Sequence, residues 1–317
     1  MPRKIPGTED IEFKEKFIEQ YSKLTDFEKF KEYSLSFLRR SIRVNTLKIS
    51  VKELVKRLED KWELTPIPWC KEGFWIEHKG IGEEKRRDVG NLIEHQLGYI
   101  YIQESASMIP PIVLNPKKNE IVLDMCAAPG SKASQIAQYM ENTGILIAND
   151  FKFDRLQSLG INVQRIGLTN TIITQMQGQW FKDFQFDKVL VDAPCSGIGT
   201  IRKSLKTIRI WNPNVAKRMG GVQKRLIETG FNNLKSGGEL VYSTCTLEPD
   251  ENEAVISWLL DNHSDAKTEK INLDIKSSKA VMEFKGVKYN SGVKNCLRLW
   301  PQDNDTEGFF VCKIKKK

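Results

Sequence analysis

Two short segments place a cysteine where it could react. VLVDAPCSG sets Cys195 three residues after Asp192, and LVYSTCT sets Cys245; each follows a run of apolar residues that reads as a strand. A thiol in a loop just beyond a strand is exposed, whereas the default for a free cysteine is a small buried hydrophobe, the reading adopted for Cys70, Cys296 and Cys312. Close to basic groups or a helix N-terminus, an exposed thiol ionises and becomes a nucleophile. Two thiols and a carboxylate supply an attacking group and the proton transfers needed to release a covalent product. Spacing alone leaves open which cysteine attacks.

A second pair of segments points to a bound cofactor. CAAPGSK (Cys126, Ala127, Ala128, Pro129, Gly130, Ser131 and Lys132) is a loop of small residues between an apolar strand and a helix. Its backbone can approach a ligand closely, with amides pointing out from a helix N-terminus. It matches neither the dinucleotide G-x-G-x-x-G loop nor the triphosphate G-x-x-x-x-G-K-[ST] loop. Asp150 ends the next strand, where an acid commonly binds ribose hydroxyls. A small-residue loop with a ribose acid and no phosphate features fits an adenosyl cofactor without phosphates.

The elements that must position these groups alternate. NEIVLDM, GILIAND, TIITQMQ, FDKVLVD and GGELVYST are strand candidates separated by helical stretches, the longest over Val215–Leu234, and GFFVCKIK closes the chain. Near-continuous Val/Ile/Leu strands joined by helices predict a parallel sheet covered on both faces. CAAPGSK, Asp150, DAPCSG and STCT then fall at carboxyl ends of strands, on the one edge where such sheets bind ligands. The segment NHSDAKTEKINLDIKSSKA reads as a polar surface excursion. Ahead of the alternating region, SIRVNTLKI, VKELVKRLEDK, WELTPIPW and GFWIEH read as β-α-β-β, a small α+β domain over residues 1–100, with residues 101–317 forming the larger one. The first forty residues read as charged helix packed as a lid, with apolar Phe13, Phe17, Tyr21 and Leu24. Arg39, Arg40, Arg43, Trp62, Trp69, Phe74 and Trp75 mix base and aromatic character in the small domain. Aromatic residues in short strands are mostly core; exposed ones can stack on bases.

The bulk properties bound the function. A net charge of +8 with 40% hydrophobic and 28% charged residues describes a soluble globular protein leaning toward a polyanionic partner. The N-terminal stretch has no apolar core of a targeting peptide, and no run reaches membrane-spanning length, so a cytoplasmic protein with no membrane partner is expected. The six cysteines and three histidines are scattered without metal-ligand spacing, so free thiols and no metal are expected.

DMCAAPGSKASQIA, VLVDAPCSGIGT and YSTCTLEPDENE, with RVNTLK and YIQESASMIP ahead of them, resemble in order the motifs of the NOL1/NOP2/Sun family of RNA 5-methylcytosine methyltransferases. The resemblance spans roughly residues 40–255 and the final strand, and the length is similar to the compact archaeal enzymes that modify tRNA. It implies a doubly wound Rossmann-like methyltransferase sheet with a small RRM-like N-terminal α+β domain, S-adenosylmethionine as cofactor, and RNA as partner, read as tRNA and bound by a monomer. Residues Cys126 to Lys132 would surround the methionine and ribose of the cofactor, Asp150 would take the ribose hydroxyls, and Arg155 would support that site. Asp192 would lie between cofactor and base and bond the cytosine edge. Cys245 would add to C6, turning C5 into a carbon able to accept a methyl group, and Cys195 would help release the product. Gln177 stands where the family carries an acid that contacts adenine. Ribosomal RNA enzymes share every motif, and a non-catalytic RNA-binding assembly factor or a small-molecule methyltransferase are the rival readings. The intact cysteines and aspartates weigh against the factor, and the basic balance and N-terminal domain against the small-molecule enzyme.

Overall fold

Two sheets gather the apolar strands in the computed structural model, which describes residues 2–81 and 88–317. The chain opens with two short helices, α1 (Glu15–Ser22) and α2 (Phe27–Ser34), the second capped by Asp26, which accepts from the Lys29 amide. Phe17, Tyr21 and Phe30 on their inner faces do not pack on the small sheet that follows. They join Ile198, Ile208, Trp211, Leu247 and Trp300, brought in from the far part of the chain.

The small sheet takes β1 (Ser41–Val44), β2 (Trp62–Ile67), β3 (Cys70–His78) and β4 (Ile100–Ile102), all antiparallel in the order β2-β3-β1-β4. With α3 (Val51–Leu58) between β1 and β2, and the short α4 (Ile93–Gln96) before β4, this is the β-α-β-β-α-β arrangement of ferredoxin-like and RRM-like domains. A reciprocal cap starts α3: Ser50 accepts from the Glu53 amide while Glu53 accepts from the Ser50 amide. The strand expected through SIRVNTLKI stops at Val44 because Asn45 turns the chain. Its side chain accepts from the Leu47 amide and donates to the carbonyls of Gly98 at 2.8 Å and Ile166 at 2.9 Å. Trp62, Trp69, Phe74 and Trp75 are all buried, so the aromatic residues of this domain are core.

Beyond α5 (Ile109–Leu114) the chain alternates as its pattern predicts: β5 (Ile121–Asp124), α6 (Ser131–Tyr139), β6 (Ile145–Asn149), α7 (Phe153–Ile166), β7 (Thr171–Thr174), β8 (Phe186–Asp192). It continues through α8 (Lys206–Ile210), α9 (Pro213–Asn232), β9 (Leu234–Thr244), α10 (Glu253–Asn262) and β10 (Ala266–Glu269). A hairpin of β11 (Glu283–Phe284) and β12 (Val287–Lys288) precedes β13 (Leu297–Leu299), α11 (Pro301–Asn304) and β14 (Phe309–Lys316). The large sheet has the order β10-β14-β9-β8-β5-β6-β7, with β13 also beside β14; β5 to β9 run parallel and β14 is antiparallel to β9. The polar stretch expected to be a surface excursion thus contributes β10, whose residues pair along Lys313–Lys316 of β14.

Alternate residues of each central strand face opposite layers. Val122, Leu190 and Val241 pack with Ile109, Ile136 and Leu159 of α5, α6 and α7, while Leu123, Val189 and Leu240 pack with Leu226 and Ile256 of α9 and α10. Helices therefore cover both faces, and the order reverses between β5 and β8. That is the switch point where doubly wound sheets bind ligands. The small sheet is clamped to α6 by Arg43, fully buried, which donates to Gln103 at 2.9 Å, Gln138 at 2.7 Å and Ser134 at 2.7 Å. Satisfying all three donor directions is what makes a buried guanidinium tolerable there. Among the described residues no helix is long and apolar enough to cross a membrane.

Candidate active site

The carboxyl ends of β5, β6, β8 and β9 meet at one edge of the sheet and bring the expected residues together. Residues 125–130 carry the chain from β5 into α6 through a cis Ala128–Pro129 peptide. Gly130 has φ +104°, a left-handed conformation, and a Cβ there would come within 2.9 Å of the Leu159 side chain. Asp124 closes β5 completely buried, with neither carboxylate oxygen hydrogen-bonded. Burial, and then the nearby charge of Asp192, push its carboxyl up to about 7.

Asp150 ends β6 and is also buried, accepting from the Lys152 amide at 3.1 Å and pairing with Arg155 at 3.0 Å. Arg155 donates as well to the carbonyl of Ala128, so it bridges Asp150 to the small-residue loop. Asn149, which the sequence did not single out, laces the strand ends together. It donates to the carbonyls of Met125 and Met176 and accepts from the Met176 amide and the Thr174 hydroxyl. Gln177 lies exposed at the end of this loop, its carbonyl accepting from Gln179.

At the end of β8, Asp192 receives two donors, the Lys132 ammonium at 2.7 Å and the Ser243 hydroxyl at 2.7 Å. Lys132 thus turns its charge toward Asp192. Burial disfavours that ammonium, and the Asp192 charge and hydrogen bond outweigh burial, so its pKa is raised.

The two loop cysteines converge: the sulfurs of Cys195 and Cys245 are 3.2 Å apart. Contact with Cys245 and then burial push the Cys195 thiol well above the ordinary range. Their loops are braced together. Ser196 donates its amide to Glu251 at 2.9 Å and shares a hydroxyl contact of 2.8 Å with Thr246. Gln223 ties the Pro194 carbonyl to the same Glu251 carboxyl, which burial pushes up to about 7. Gly199 donates to the Cys245 carbonyl at 2.9 Å and accepts from the Gly308 amide at 3.0 Å; a Cβ there would lie 2.0 Å from the Gly308 carbonyl oxygen, so only glycine fits.

That contact brings in groups that the sequence did not nominate. Lys203 pairs with Glu307 at 2.9 Å, and the Glu307 amide donates to Glu104 at 3.3 Å. Burial and Glu104 push the Glu307 carboxyl up to about 7. Glu104 lies within YIQESASMIP, where the resemblance assigns it no role, and Lys203 and Glu307 carry no local pattern; the three come from distant segments. Of the N-terminal cations, Arg43 is structural, Arg40 is exposed, and Arg39 lies over the Trp75 ring at 3.8 Å. Chemically, the edge offers a thiol pair beside an ion-paired carboxylate, a buried acid without a hydrogen-bond partner, and a loop of small residues.

Comparison with known proteins agrees with this arrangement. Residues 111–315 match the family described as 16S rRNA methyltransferase RsmB/F, and residues 13–105 match the N-terminal domain of 16S rRNA methyltransferase RsmF. A tRNA (cytosine(49)-C(5))-methyltransferase from Pyrococcus abyssi is 49% identical over 304 residues, covering 95% of this chain and 96% of that protein. A ribosomal RNA small subunit methyltransferase F from Shewanella piezotolerans is 44% identical over 297 residues, covering 91% of this chain and 60% of its own length. Among solved structures, a methyltransferase homolog from Pyrococcus horikoshii superposes with a TM-score of 0.85 at 39% identity, over 96% of each chain.

Proposed function

The chain belongs to the NOL1/NOP2/Sun (RsmB/F) family of RNA cytosine-C5 methyltransferases, and on that footing we propose that it methylates tRNA through a covalent adduct between Cys245 and C6 of the target cytosine. As a member it is an S-adenosylmethionine-dependent RNA cytosine-C5 methyltransferase. The residues at the sheet edge fit that cofactor: a buried carboxylate without a hydrogen-bond partner, Asp124, lies at the start of a loop of small residues, Ala127 to Ser131. The loop from Cys126 to Lys132 would hold it, with Asp150, supported by Arg155, on the ribose hydroxyls. When bound, S-adenosylmethionine supplies an electrophilic methyl group.

The observation that carries the proposal is the 3.2 Å approach of two thiols beside the Asp192–Lys132 pair. Two thiols this close do not both ionise, because like charges at contact are strongly unfavourable. One of the pair attacks, and the match of YSTCT to the family motif assigns that role to Cys245. The Cys245 sulfur bonds to C6, and the C5–C6 π electrons become available at C5. Asp192, fixed by Lys132 and Ser243, accepts from the exocyclic amino group and holds the ring. After C5 is methylated, Cys195, acting as a thiolate base, takes the C5 proton, that C–H electron pair re-forms the C5–C6 double bond, and the S–C6 bond breaks to return the Cys245 thiolate. The small N-terminal domain, expected over residues 1–100 and extending through β4, serves as the RNA-binding domain and the rest as the catalytic one, a division supported by matched segments at 13–105 and 111–315. The tRNA assignment is supported by near-complete mutual coverage with the Pyrococcus abyssi tRNA enzyme, against 60% coverage of the ribosomal relative.

The test incubates Cys195→Ala, Cys245→Ala and the double variant with cofactor and tRNA, followed by denaturing electrophoresis. Cys195→Ala is expected to accumulate a covalent RNA adduct, and the other two to form none and to leave the RNA unmethylated. An adduct from Cys245→Ala alone would reverse the roles. A 16S rRNA fragment methylated in preference to tRNA would replace the substrate.

A further inference from the structure

A cavity of about 480 Å³ lies between the small sheet and the 37–40 linker, outside the cluster of Cys195, Cys245 and Asp192. Its size is within the roughly 300–1,000 Å³ usual for small-molecule pockets. One wall is the Arg39 guanidinium over the Trp75 indole, 3.8 Å from the ring centroid. Another is Phe37, with Arg3 over its ring at 5.2 Å. Planar guanidinium and aromatic surfaces of this kind are what unpaired RNA bases stack on.

The lining is mixed rather than uniformly basic: Arg3, Arg39 and Arg40 stand with Glu63 and Glu77, and Asp305 is paired with Arg202. Carboxylates in the wall disfavour a bare phosphate, and the flat guanidinium and aromatic surfaces suit an uncharged base. The cavity also shares its walls with the reactive cleft. Asp305 lines it and pairs with Arg202 at 2.7 Å, while the next residue along one segment, Lys203, pairs with Glu307 of the other at 2.9 Å beside the Cys245 loop. Residues 202–203 and 305–307 therefore form a partition with the cavity on one side and the thiols on the other.

We propose that this cavity receives a nucleobase of the substrate RNA close in sequence to the cytosine being methylated, stacked on Arg39. The inference rests on the reading of the chain as an RNA-modifying enzyme and adds a base-binding site to it. Seating a second base here anchors the strand on the far side of the partition while the target base enters the thiol side.

RNA hairpins carrying one 5-fluorocytidine, whose C5–F bond blocks release, report adduct formation; 2-aminopurine placed at each neighbouring position in turn reports stacking. At one position the fluorescence is expected to fall on binding, and Arg39→Ala and the cavity-filling Thr65→Trp to abolish that fall. An abasic nucleotide at the same position is expected to slow adduct formation by roughly five- to a hundredfold in the parent enzyme and to add nothing further in Arg39→Ala. Equal fluorescence in parent and both variants, or an abasic penalty undiminished in Arg39→Ala, would overturn the proposal. So would occupancy of the cavity by free nucleoside monophosphates with RNA binding unchanged. A parent enzyme that shows the stacking signal and no adduct would count against the cysteine mechanism alone.

Discussion

The Lys132 ammonium lies 2.7 Å from the Asp192 carboxylate, joining the first turn of α6 to the end of β8 across the switch point of the sheet. Lys132 also acts on Asp124, so one cation balances acids from two neighbouring strand ends. Removing it leaves those carboxylates facing one another in a partly buried site. Lys132→Met is therefore expected to lose about 2–3 kcal/mol of stability, below the usual cost of breaking a buried pair because Asp192 remains partly solvated. Asp192→Asn in the same chain should restore part of that loss. Denaturant titration of the two single variants and the double checks it; a Lys132→Met protein as stable as its parent would show that solvent already screens the pair.

Asp150 has a different role to test. It is buried after β6 and steadied by Arg155, and in the proposed cofactor site it would accept charge-assisted hydrogen bonds from ribose, each contributing about 1.5–3 kcal/mol. Asp150→Ala is expected to weaken S-adenosylmethionine binding by at least tenfold with the fold intact. Calorimetry on the folded variant measures this directly, and unchanged affinity would remove Asp150 from the cofactor site.

Asp124 makes stability depend on pH in a defined direction. Its carboxyl is raised to about 7 from an ordinary 3.8, so the folded protein holds this proton more tightly than the unfolded chain. The stability it contributes is full below about pH 4 and is lost as pH rises through 7. Glu251 and Glu307, each raised to about 7, act in the same sense. Without cofactor, the protein should be less stable at pH 8 than at pH 5.5. Asp124→Asn should reduce that difference by roughly 1–3 kcal/mol, the cost of a buried group left without partners. Unfolding midpoints at the two pH values decide, and an unchanged difference in the variant would refute the assignment.

RNA affinity should fall steeply with salt. A net charge of +8 favours a polyanion, and each phosphate that the bound protein neutralises releases counterions. Affinity for a tRNA transcript is expected to drop by at least about tenfold between roughly 50 and 200 mM salt. A flat response in fluorescence anisotropy would mean that binding depends little on backbone charge.

Much of this site was legible in the sequence because a strand followed by a loop is a local pattern. Asp150, Asp192, Cys195 and Cys245 could each be placed at a strand end from their own neighbours, and parallel strands share one carboxyl edge. Partners were not legible. Lys132 reads as a member of the cofactor loop, and its turn toward Asp192 depends on β5 and β8 being adjacent, which is a property of sheet order. Lys203, Glu104 and Glu307 assemble from three segments with no shared motif. The Trp and Phe residues of the small domain presented the same ambiguity as any aromatic strand, and burial resolves it in favour of core. The β10 strand was hidden by its composition. Ala266–Glu269 is polar because it is an edge strand with one neighbour, so its pairing leaves no apolar signature.

Aromatic residues of the two N-terminal helices depend on partners far along the chain. Tyr21 and Phe30 meet Trp300 edge-on, and Tyr21, Gln20 and Trp211 all donate to the buried Glu248, three residues after Cys245. On a translating ribosome, α1 and α2 therefore emerge with their apolar faces uncovered until residues 198–248 have followed, and Trp300 completes the cover later. The segment that carries Cys245 is thus braced from behind by residues made more than two hundred positions earlier.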